Sequence, residues 1–329
     1  MWRCILPLLL ALGACAPVVR PAGPVLGMAR LMEDAVIAAD GARLPLRIFA
    51  PQGTPRAVML ALHGFNDHGG NFLADSIAAL NAGGVLVYAP DHRGFGRAPN
   101  RGYWPGSATL AEDAATAARL LRARHPGVPL LMLGESMGGA IAILAAELAP
   151  PVDRYILLAP ALWSRAEMNG FMRGSLWLIG RTMPAMSFGG GVGGVVASDN
   201  NAALRRLARD PLVIRNTRVD SALGLVDLMD QAAPALPACC RGAGGVRVPV
   251  LLLYGAQDSV VPPRPTRAAL RTIAPEAPIR IAVYQEGFHL LLAGNDRAAV
   301  VRDILSFVMD ARAPLPSGAE DFAPEWLVR

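Results

Sequence analysis

The stretch LLMLGESMGGAIAIL, residues 130–144, combines an apolar run, a serine flanked by glycines and a run of small apolar residues. The first run is typical of a buried strand, and the alanine-rich second run is typical of a closely packed helix. Gly134 and Gly138 allow a tight, strained turn around Ser136. The stretch therefore predicts a strand, a sharp turn and a helix, with the Ser136 side chain raised above the sheet edge at a helix N-terminus.

Further short apolar runs share this pattern, and most of them end in Gly, His, Asp or Ser. Between most of them lie alanine- and leucine-rich segments with helical spacing. Strands buried on both faces and separated by helices predict an α/β fold with a mostly parallel central sheet and helices on both of its faces. The polar endings would then gather at one edge, where the carboxyl ends of the strands meet. The runs are AVMLALHG (57–64), VLVYAPDHRG (85–94), PLLMLGES (129–136), RYILLAPAL (154–162), VPVLLLYGAQD (248–258) and IRIAVYQEGFH (279–289).

The spacing of these runs predicts the domain organisation. About 85 residues separate the fourth run from the fifth, which is more than one crossover helix requires. We interpret most of them as an inserted helical lid, whose Met and aromatic side chains either line a pocket for a chain-like apolar ligand or form the core of the lid. Alternation around ADGAR predicts an antiparallel hairpin before the first buried strand. The predicted boundaries are 1–15 for a signal peptide, 16–27 for a linker, 28–162 and 241–311 for the two parts of the core, 163–240 for the lid and 312–329 for a C-terminal tail that forms a surface strap.

The N-terminal residues are typical of a targeting signal. Arg3 precedes an apolar stretch, residues 5–12, that is too short to span a bilayer but fits the core of a signal peptide. LGAC, residues 12–15, resembles the lipobox of bacterial lipoproteins, in which the cysteine, here Cys15, is lipidated and becomes the first mature residue. We expect a lipid anchor on the periplasmic side of a bacterial cell envelope. Cleavage of an ordinary signal peptide near Ala16, which would give a secreted or periplasmic soluble protein, is the alternative.

The charge balance argues against nucleic acid as a partner. The chain has 31 basic and 26 acidic residues, a net charge of +5, and every basic residue is an arginine. These arginines are spread along the chain and are not gathered into a tract with interleaved aromatic residues. A mildly positive surface would instead suit an anionic membrane.

Four cysteines are too few for a disulfide framework once Cys4 is removed with the signal peptide and Cys15 is acylated. The remaining pair, Cys239 and Cys240, is adjacent in the chain, and a disulfide between neighbours would be strained. Free thiols, or partly buried small side chains, are the preferred interpretation.

Three residues have the types and the order that nucleophilic catalysis requires. A serine hydroxyl is a weak nucleophile unless a base removes its proton and an acid orients that base. His289, the last of five histidines, follows the last predicted strand, and Asp258 ends the strand before it. Serine, aspartate and histidine in this order are typical of α/β-hydrolases. We therefore predict Ser136 as the nucleophile, His289 as the base and Asp258 as the acid. Asp227 and Asp230 could act as the acid only if the lid folded far over the site.

The backbone must also stabilise the oxyanion that forms when serine attacks a carbonyl. One N–H donor belongs to the residue after the nucleophile, and the other belongs to the loop after the third strand. Met137 is the first of these. The second lies in HGFNDHGG, residues 63–70, where we predict Phe65 as the donor.

We expect neither a metal nor a cofactor. His68, Asp67, Asp91 and His92 follow strand ends and suggest a metal site, but their spacing matches no HExxH or similar motif, and we interpret them as loop residues that support the oxyanion turn. The glycines at 189–194 formally satisfy GxGxxG, but the strand and helix that a dinucleotide site needs do not flank them.

Several of these motifs together resemble one family. HGFNDHGG, DHRGFGRA, GESMGG, YGAQDSVVP and GFHLL resemble the monoglyceride lipase and lysophospholipase branch of the α/β-hydrolases, which is often labelled serine aminopeptidase S33-like. The resemblance extends over residues 28–311. It implies an α/β-hydrolase fold with Ser136, Asp258 and His289 as the triad and with Phe65 and Met137 as the oxyanion donors. Glu135 is a departure, because the family's lipases commonly have histidine there.

These observations predict a serine carboxylic-ester hydrolase that acts by acyl-enzyme chemistry on a small-molecule, lipid-like monoester of the monoacylglycerol or lysophospholipid type. We infer no protein partner. A serine aminopeptidase or an acyltransferase of the same fold is an alternative, and so is a non-catalytic lipid-binding lipoprotein on a hydrolase scaffold. The complete triad argues against the last of these.

Overall fold

A computed structural model describes residues 16–189 and 195–329 of the chain. The predicted signal peptide, the lipobox and Cys15 lie outside the described residues, as do residues 190–194 of the glycine run. The strands of the described part are β1 (Arg30–Leu31), β2 (Ala35–Ile37), β3 (Arg43–Phe49), β4 (Ala57–Leu62), β5 (Val85–Pro90), β6 (Leu130–Glu135), β7 (Arg154–Leu158), β8 (Ser187–Gly189), β9 (Asn216–Arg218), β10 (Val250–Gly255) and β11 (Ile279–Tyr284).

Nine of these strands form one sheet in the order β1-β2-β3-β5-β4-β6-β7-β10-β11. The first three strands are antiparallel, as the predicted hairpin around ADGAR requires, and β5 onward is parallel. All six apolar runs are therefore confirmed as strands. Leu131 and Leu133 of β6 face one apolar cluster, whereas Leu130 and Met132 face the other. Because both faces of the sheet are covered, these strands are continuously apolar and do not alternate with polar residues.

Helices cover both faces of the sheet, as predicted. Leu80 and Ile304 pack on one face, whereas Leu110 and Ile141 pack on the other. Among the helices of residues 16–189 and 195–329, none combines the length and the hydropathy that a membrane-spanning helix needs. The helices are α1 (Ile77–Ala82), α2 (Ser107–Arg124), α3 (Met137–Glu147), α4 (Gly170–Thr182), α5 (Asn201–Arg209), α6 (Val219–Ala235), α7 (Pro263–Leu270), α8 (Arg297–Met309) and α9 (Ala319–Val328).

The segment assigned to the lid, residues 163–240, contains α4, α5 and α6 but is not purely helical. The short strands β8 and β9 pair antiparallel within it, and three residues per strand are too few for an alternating pattern to show in the sequence. Helix α6 packs against α2 and α3 of the core. Of the apolar lid residues, Met168 is buried, whereas Phe171 and Trp177 are 83% and 61% exposed. The buried residues of the lid segment therefore join the apolar cluster on one face of the sheet, while the apolar helix α4 is exposed.

The predicted linker, residues 16–27, is bound to the body of the protein near its start. The Val18 N–H donates to Asp220 Oδ2 at 3.2 Å, and the Arg20 N–H donates to the Trp104 carbonyl at 2.8 Å. Asp220 lies in the first turn of α6. The start of the described chain is thus attached to the lid.

The C-terminal tail differs from the predicted surface strap, because α9 forms within it. Ala319, Ala323 and Trp326 are its buried residues, and their i, i+4, i+7 spacing is a helical pattern that Pro324 obscures in the sequence. The Trp326 ring lies 5.0 Å from the Tyr254 ring of β10, centroid to centroid. Burial of these side chains against the core stabilises a helix too short to persist alone.

Cys239 and Cys240 lie at the end of the lid segment and are both buried. The sequence favours free thiols here, but the structure joins the two sulfur atoms in a disulfide between adjacent residues. The expectation of free thiols is therefore wrong, and both side chains are buried where partial burial was expected.

Candidate active site

Ser136 lies at the turn between β6 and α3, as predicted. Its φ and ψ are 54° and −115°, a strained conformation for a residue with a side chain. The backbone holds it there, because Ser136 N donates to the Leu158 carbonyl at 2.9 Å and Ser136 O accepts from Gly139 N at 3.0 Å. Glycine is required at position 138, since a Cβ there would lie 2.1 Å from the Leu62 carbonyl oxygen. The strain and the close approach of the backbone together raise the serine above the sheet edge.

Asp258 and His289 come from different strand ends and are in direct contact. The distance from His289 Nδ1 to Asp258 Oδ2 is 2.7 Å, and both side chains are buried. Asp258 Oδ1 accepts from the backbone N–H groups of Val260 and Val261, at 2.8 and 3.0 Å. Because the carboxylate only accepts, Nδ1 of His289 carries the proton and donates, which leaves Nε2 to accept. This arrangement can take a proton from a neighbouring hydroxyl.

The sheet order places Ser136 at the same edge as this pair. β6 and β10 are separated by β7 alone, and β11 follows β10, so the carboxyl ends of the three strands that precede Ser136, Asp258 and His289 lie close together. Within the described ranges the Ser136 hydroxyl makes no hydrogen bond. Contacts between nucleophile and base are often long without substrate, so this geometry is compatible with catalysis.

The loop from residue 63 to residue 72, here called the oxyanion loop, lies against Ser136. An ideal Cβ on Gly64 would lie 3.5 Å from the Ser136 Cβ atom. The Gly64 carbonyl accepts from His63 Nδ1 at 2.8 Å and from Asp67 N at 3.4 Å. Since the peptide unit is planar and trans, fixing the Gly64 carbonyl also fixes the opposite direction of the Phe65 N–H. His63 therefore orients the N–H predicted as an oxyanion donor.

His63 is neutral in this position. Burial lowers its pKa to about 4, although its hydrogen bond to Gly64 opposes the shift. Its Nδ1 donates to Gly64, and its Nε2 accepts from the His92 backbone N–H at 3.0 Å. Both ring nitrogens are thus used in holding the loop, a role that the residue type alone does not reveal.

The residues considered as metal ligands support this loop. Asp91 Oδ1 accepts from Gly69 N at 2.9 Å, and Asp67 Oδ1 accepts from His68 N at 2.8 Å. His68 Nε2 lies 3.0 Å from Asp210 of the lid. In residues 16–189 and 195–329, no group of three His, Cys, Asp or Glu side chains is arranged to hold a metal ion.

Glu135 lies directly before Ser136 and is buried, with 2% of its surface exposed. Burial raises its pKa well above the ordinary 4.5, and the nearby charges of Asp67 and Asp258 raise it further. Burial also raises the pKa of Asp67, to about 6. Around Ser136 the structure therefore gathers carboxyl groups that resist ionisation.

The lid aspartates that could have competed as the catalytic acid are engaged elsewhere. Arg165 Nη1 lies 2.7 Å from Asp227 Oδ1, and the backbone N–H of Arg165 donates to Asp230 Oδ1 at 2.6 Å. Both contacts lie within the lid. Asp258, and neither of these, contacts His289.

Two lid residues that no sequence motif singles out contact the oxyanion loop. Asp210 contacts His68, and the Thr217 hydroxyl accepts from Asn66 Nδ2 at 2.7 Å. More than 140 residues separate the partners of each pair. No local pattern could have paired them.

Known proteins of similar sequence identify the family of the chain. The sequence profile of the family described as "Serine aminopeptidase, S33" matches residues 53–297. Similar proteins include the monoacylglycerol lipase of Mycolicibacterium smegmatis, 25% identical over 84% of this chain and 96% of that protein, and the human monoglyceride lipase, 28% identical over 78% and 82%.

A solved structure of similar sequence shows which fold the chain has. The crystal structure of the Paleococcus ferrophilus monoacylglycerol lipase is 25% identical, covers 80% of this chain and 98% of that one, and superposes with a TM-score of 0.62. The predicted α/β-hydrolase fold is therefore confirmed. The profile match spans most of the chain, both parts of the sheet and the lid between them. The chain belongs to the serine aminopeptidase S33 family and is an α/β-hydrolase related to the monoacylglycerol lipases.

Proposed function

We propose that this protein is a serine carboxylic-ester hydrolase that acts by an acyl-enzyme mechanism on lipid-like monoesters. One observation carries the proposal, namely the 2.7 Å hydrogen bond between His289 and Asp258 at the sheet edge where Ser136 occupies a strained turn. A structural serine would not need a positive φ, and a structural histidine would not need a buried carboxylate behind it.

In the proposed mechanism, Ser136 Oγ attacks the ester carbonyl carbon while His289 Nε2 takes the hydroxyl proton. Asp258 accepts from Nδ1 and stabilises the imidazolium that forms. The N–H groups of Phe65 and Met137 stabilise the oxyanion. The imidazolium returns its proton to the leaving alcohol, and the acyl group stays on Ser136. Water then attacks the acyl-enzyme with His289 again as the base, which releases the carboxylic acid and restores the serine.

The substrate class that we propose is the monoacylglycerol type, with lysophospholipids as the second type. The names of the relatives support the first. The exposed apolar side chains of α4, among them Phe171 and Trp177, support an acyl-chain ligand in general, because rings and aliphatic chains pack together. No cofactor takes part in this mechanism.

A serine aminopeptidase is the second candidate, and one observation favours it. The buried carboxyls of Glu135 and Asp67 near Ser136 are the kind of acidic surroundings that a free amino group would need. Burial keeps the Glu135 pKa high, however, and a neutral carboxyl attracts an ammonium group only weakly. Release of arylamine from aminoacyl arylamides would support the peptidase.

We also propose that Cys15 carries a lipid anchor that places the protein at the bacterial envelope. The lipobox-like LGAC string and the apolar run before it support this. Incorporation of labelled palmitate that is lost in Cys15→Ala, with movement of the protein from the membrane to the soluble fraction, would support the anchor. Unchanged fractionation of Cys15→Ala would contradict it.

The first test of the activity is hydrolysis of p-nitrophenyl esters from acetate to palmitate by the mature protein, beside Ser136→Ala. We expect a burst and turnover that vanish in the variant, with an optimum among the longer chains. Monoacylglycerol and lysophospholipid, tried next, separate the two substrate types, and added glycerol detects acyl transfer. Absence of turnover by the folded protein with every ester would contradict the hydrolase.

A further inference from the structure

Asn66, which follows the predicted oxyanion donor Phe65, is bonded to the lid. Asn66 O accepts from the Ile214 backbone N–H at 2.9 Å, and Asn66 Nδ2 donates to the Thr217 hydroxyl at 2.7 Å. Within the described chain, both hydrogen bonds that Asn66 makes go to the lid segment between α5 and α6. Thr217 is the central residue of β9.

Asn66 needs this support because of its backbone conformation. Its φ of +65° lies in the left-handed region, which costs a residue with a side chain free energy even though asparagine tolerates it better than most. The turn at Asn66 sets the direction in which the chain leaves Phe65. If its partners in the lid were lost, the strained turn could relax, and Phe65 would move with it.

A second contact joins the same loop to the lid. His68 Nδ1 accepts from the Gly70 backbone N–H at 3.1 Å and faces the Arg47 guanidinium at 3.3 Å. Because both of these partners are donors, the proton of neutral His68 is on Nε2, which donates to Asp210 Oδ2 at 3.0 Å. Partial burial opposes ionisation of Asp210, but hydrogen bonds from Leu212 and His68 outweigh it and lower its pKa.

The core holds the loop before and after this turn, and His63 bonds to the Gly64 carbonyl on the near side. Asp91 accepts from Gly69 N, and Arg47 lies 3.6 Å from Asp91. Asp67 and Asn71 are bonded to each other within the loop. The core therefore fixes the loop at Gly64 and at Gly69, whereas the turn at Asn66 between them is held by the lid.

We propose that Thr217 and Asp210 are positioning residues that hold the oxyanion loop in its working geometry, so that the lid is part of the oxyanion hole's support. The proposal rests on the proposed function, in which the Phe65 N–H stabilises the oxyanion. The lid would then affect the chemical step as well as access to the site.

Thr217→Val tests the positioning role of Thr217. It replaces only the hydroxyl and changes the shape of the side chain little. Thr182→Val is the matched control, since the Thr182 hydroxyl also lies in the lid but donates to Leu178 within its own helix. Thr217→Ser keeps a hydroxyl and serves as the rescue. Asp210→Ala is paired with Asp199→Ala, because the Asp199 carboxylate accepts from Asn295 and does not contact the loop.

Amide hydrogen exchange is the readout that does not require activity. We expect exchange of residues 64–71 to become faster in Thr217→Val and Asp210→Ala, on the order of tenfold, since each variant loses a hydrogen bond that holds the loop. Thr217→Ser, Thr182→Val and Asp199→Ala should exchange like the wild type there. Equal exchange of the loop in Thr217→Val and Thr182→Val would overturn the proposal.

Kinetics then test the consequence for the oxyanion. We expect kcat of Thr217→Val to fall on the order of tenfold with KM unchanged, because a displaced donor weakens binding of the transition state only. Inactivation by an alkyl phosphonate, whose oxygen occupies the oxyanion hole, should slow by a similar factor. A rise in KM with kcat unchanged would show that Thr217 shapes only the substrate pocket, and it would overturn the proposal.

The proposed function is judged separately by the wild type and Ser136→Ala. If the wild type has no turnover that depends on Ser136, the ester hydrolase fails, whereas the exchange comparison still decides whether the lid holds the loop. If turnover depends on Ser136 but Thr217→Val keeps the wild-type kcat, the hydrolase stands and the positioning role fails.

Discussion

The Nδ1 nitrogen of His289 lies 2.7 Å from Oδ2 of Asp258, while Oδ1 of the same carboxylate accepts two backbone N–H groups. Each oxygen of Asp258 therefore has a separate task. One fixes the carboxylate in place, and the other fixes the imidazole tautomer in which Nε2 can accept a proton.

Asp258→Asn should abolish most of the activity without unfolding the protein. The amide can retain the packing but favours the wrong tautomer of His289, so we expect kcat to fall by a factor on the order of 10⁴, with a smaller change in KM. Initial rates with a soluble ester measure this. Asp230→Asn, a matched change within the lid, should leave kcat as it is. Equal losses in the two variants would speak against Asp258 as the catalytic acid.

Glu135→Gln should change how stability depends on pH. Because the folded protein raises the pKa of Glu135 above 4.5, this group favours folding below pH 4.5 and loses that contribution as the pH rises toward its folded value. Glutamine does not ionise, so the variant does not lose this stability as the pH rises. In urea unfolding across a pH series, the free energy of unfolding of the variant should rise relative to that of the wild type above pH 4.5. The expected rise is up to about 1.4 kcal/mol per pH unit. The exposed Glu147→Gln is the control, and a gain that does not vary with pH would contradict the prediction.

Gly138→Ala should severely destabilise the protein. The added Cβ would meet the Leu62 carbonyl at 2.1 Å, a contact that only a backbone shift of β4 or α3 could relieve. Gly174→Ala is the matched control in α4, where a Cβ would meet nothing within 4 Å. It should instead stabilise the helix by about 0.5–1 kcal/mol. Thermal unfolding distinguishes the two, and similar melting temperatures would contradict the steric argument.

Trp326→Ala should destabilise the fold but leave the site chemistry in place. Removing a buried tryptophan costs about 3–5 kcal/mol, and this one contacts Tyr254 on the outer part of the sheet. Denaturant unfolding measures the loss, and kcat measured well below the unfolding temperature should stay near the wild-type value. The exposed Trp177→Ala should change the free energy of unfolding by less than about 0.5 kcal/mol. If the C-terminal tail did not pack on the core, Trp326→Ala would change the free energy of unfolding as little as Trp177→Ala does.

The sequence was most informative where the structure depends on local patterns. Buried parallel strands are continuous apolar runs, so β4 to β7, β10 and β11 could be predicted, and the turn at Ser136 followed from two glycines at fixed spacing. The contacts of Asn66 with Thr217 and of His68 with Asp210 could not be predicted, because they depend on how the lid folds back over a loop far away in the chain. Helix α9 is an intermediate case, since its spacing was present but too short to stand out beside Pro324.

The hydrogen bond from Val18 to Asp220 limits how far an anchored molecule could stand from its membrane. If Cys15 carries the lipid, only three peptide units separate it from Val18, which is bonded to α6. Fully extended, this linker is about 11 Å long. That length is comparable to one layer of lipid headgroups. The enzyme would then not sample the space around its anchor freely, and the side that carries the start of α6 would stay close to the membrane surface.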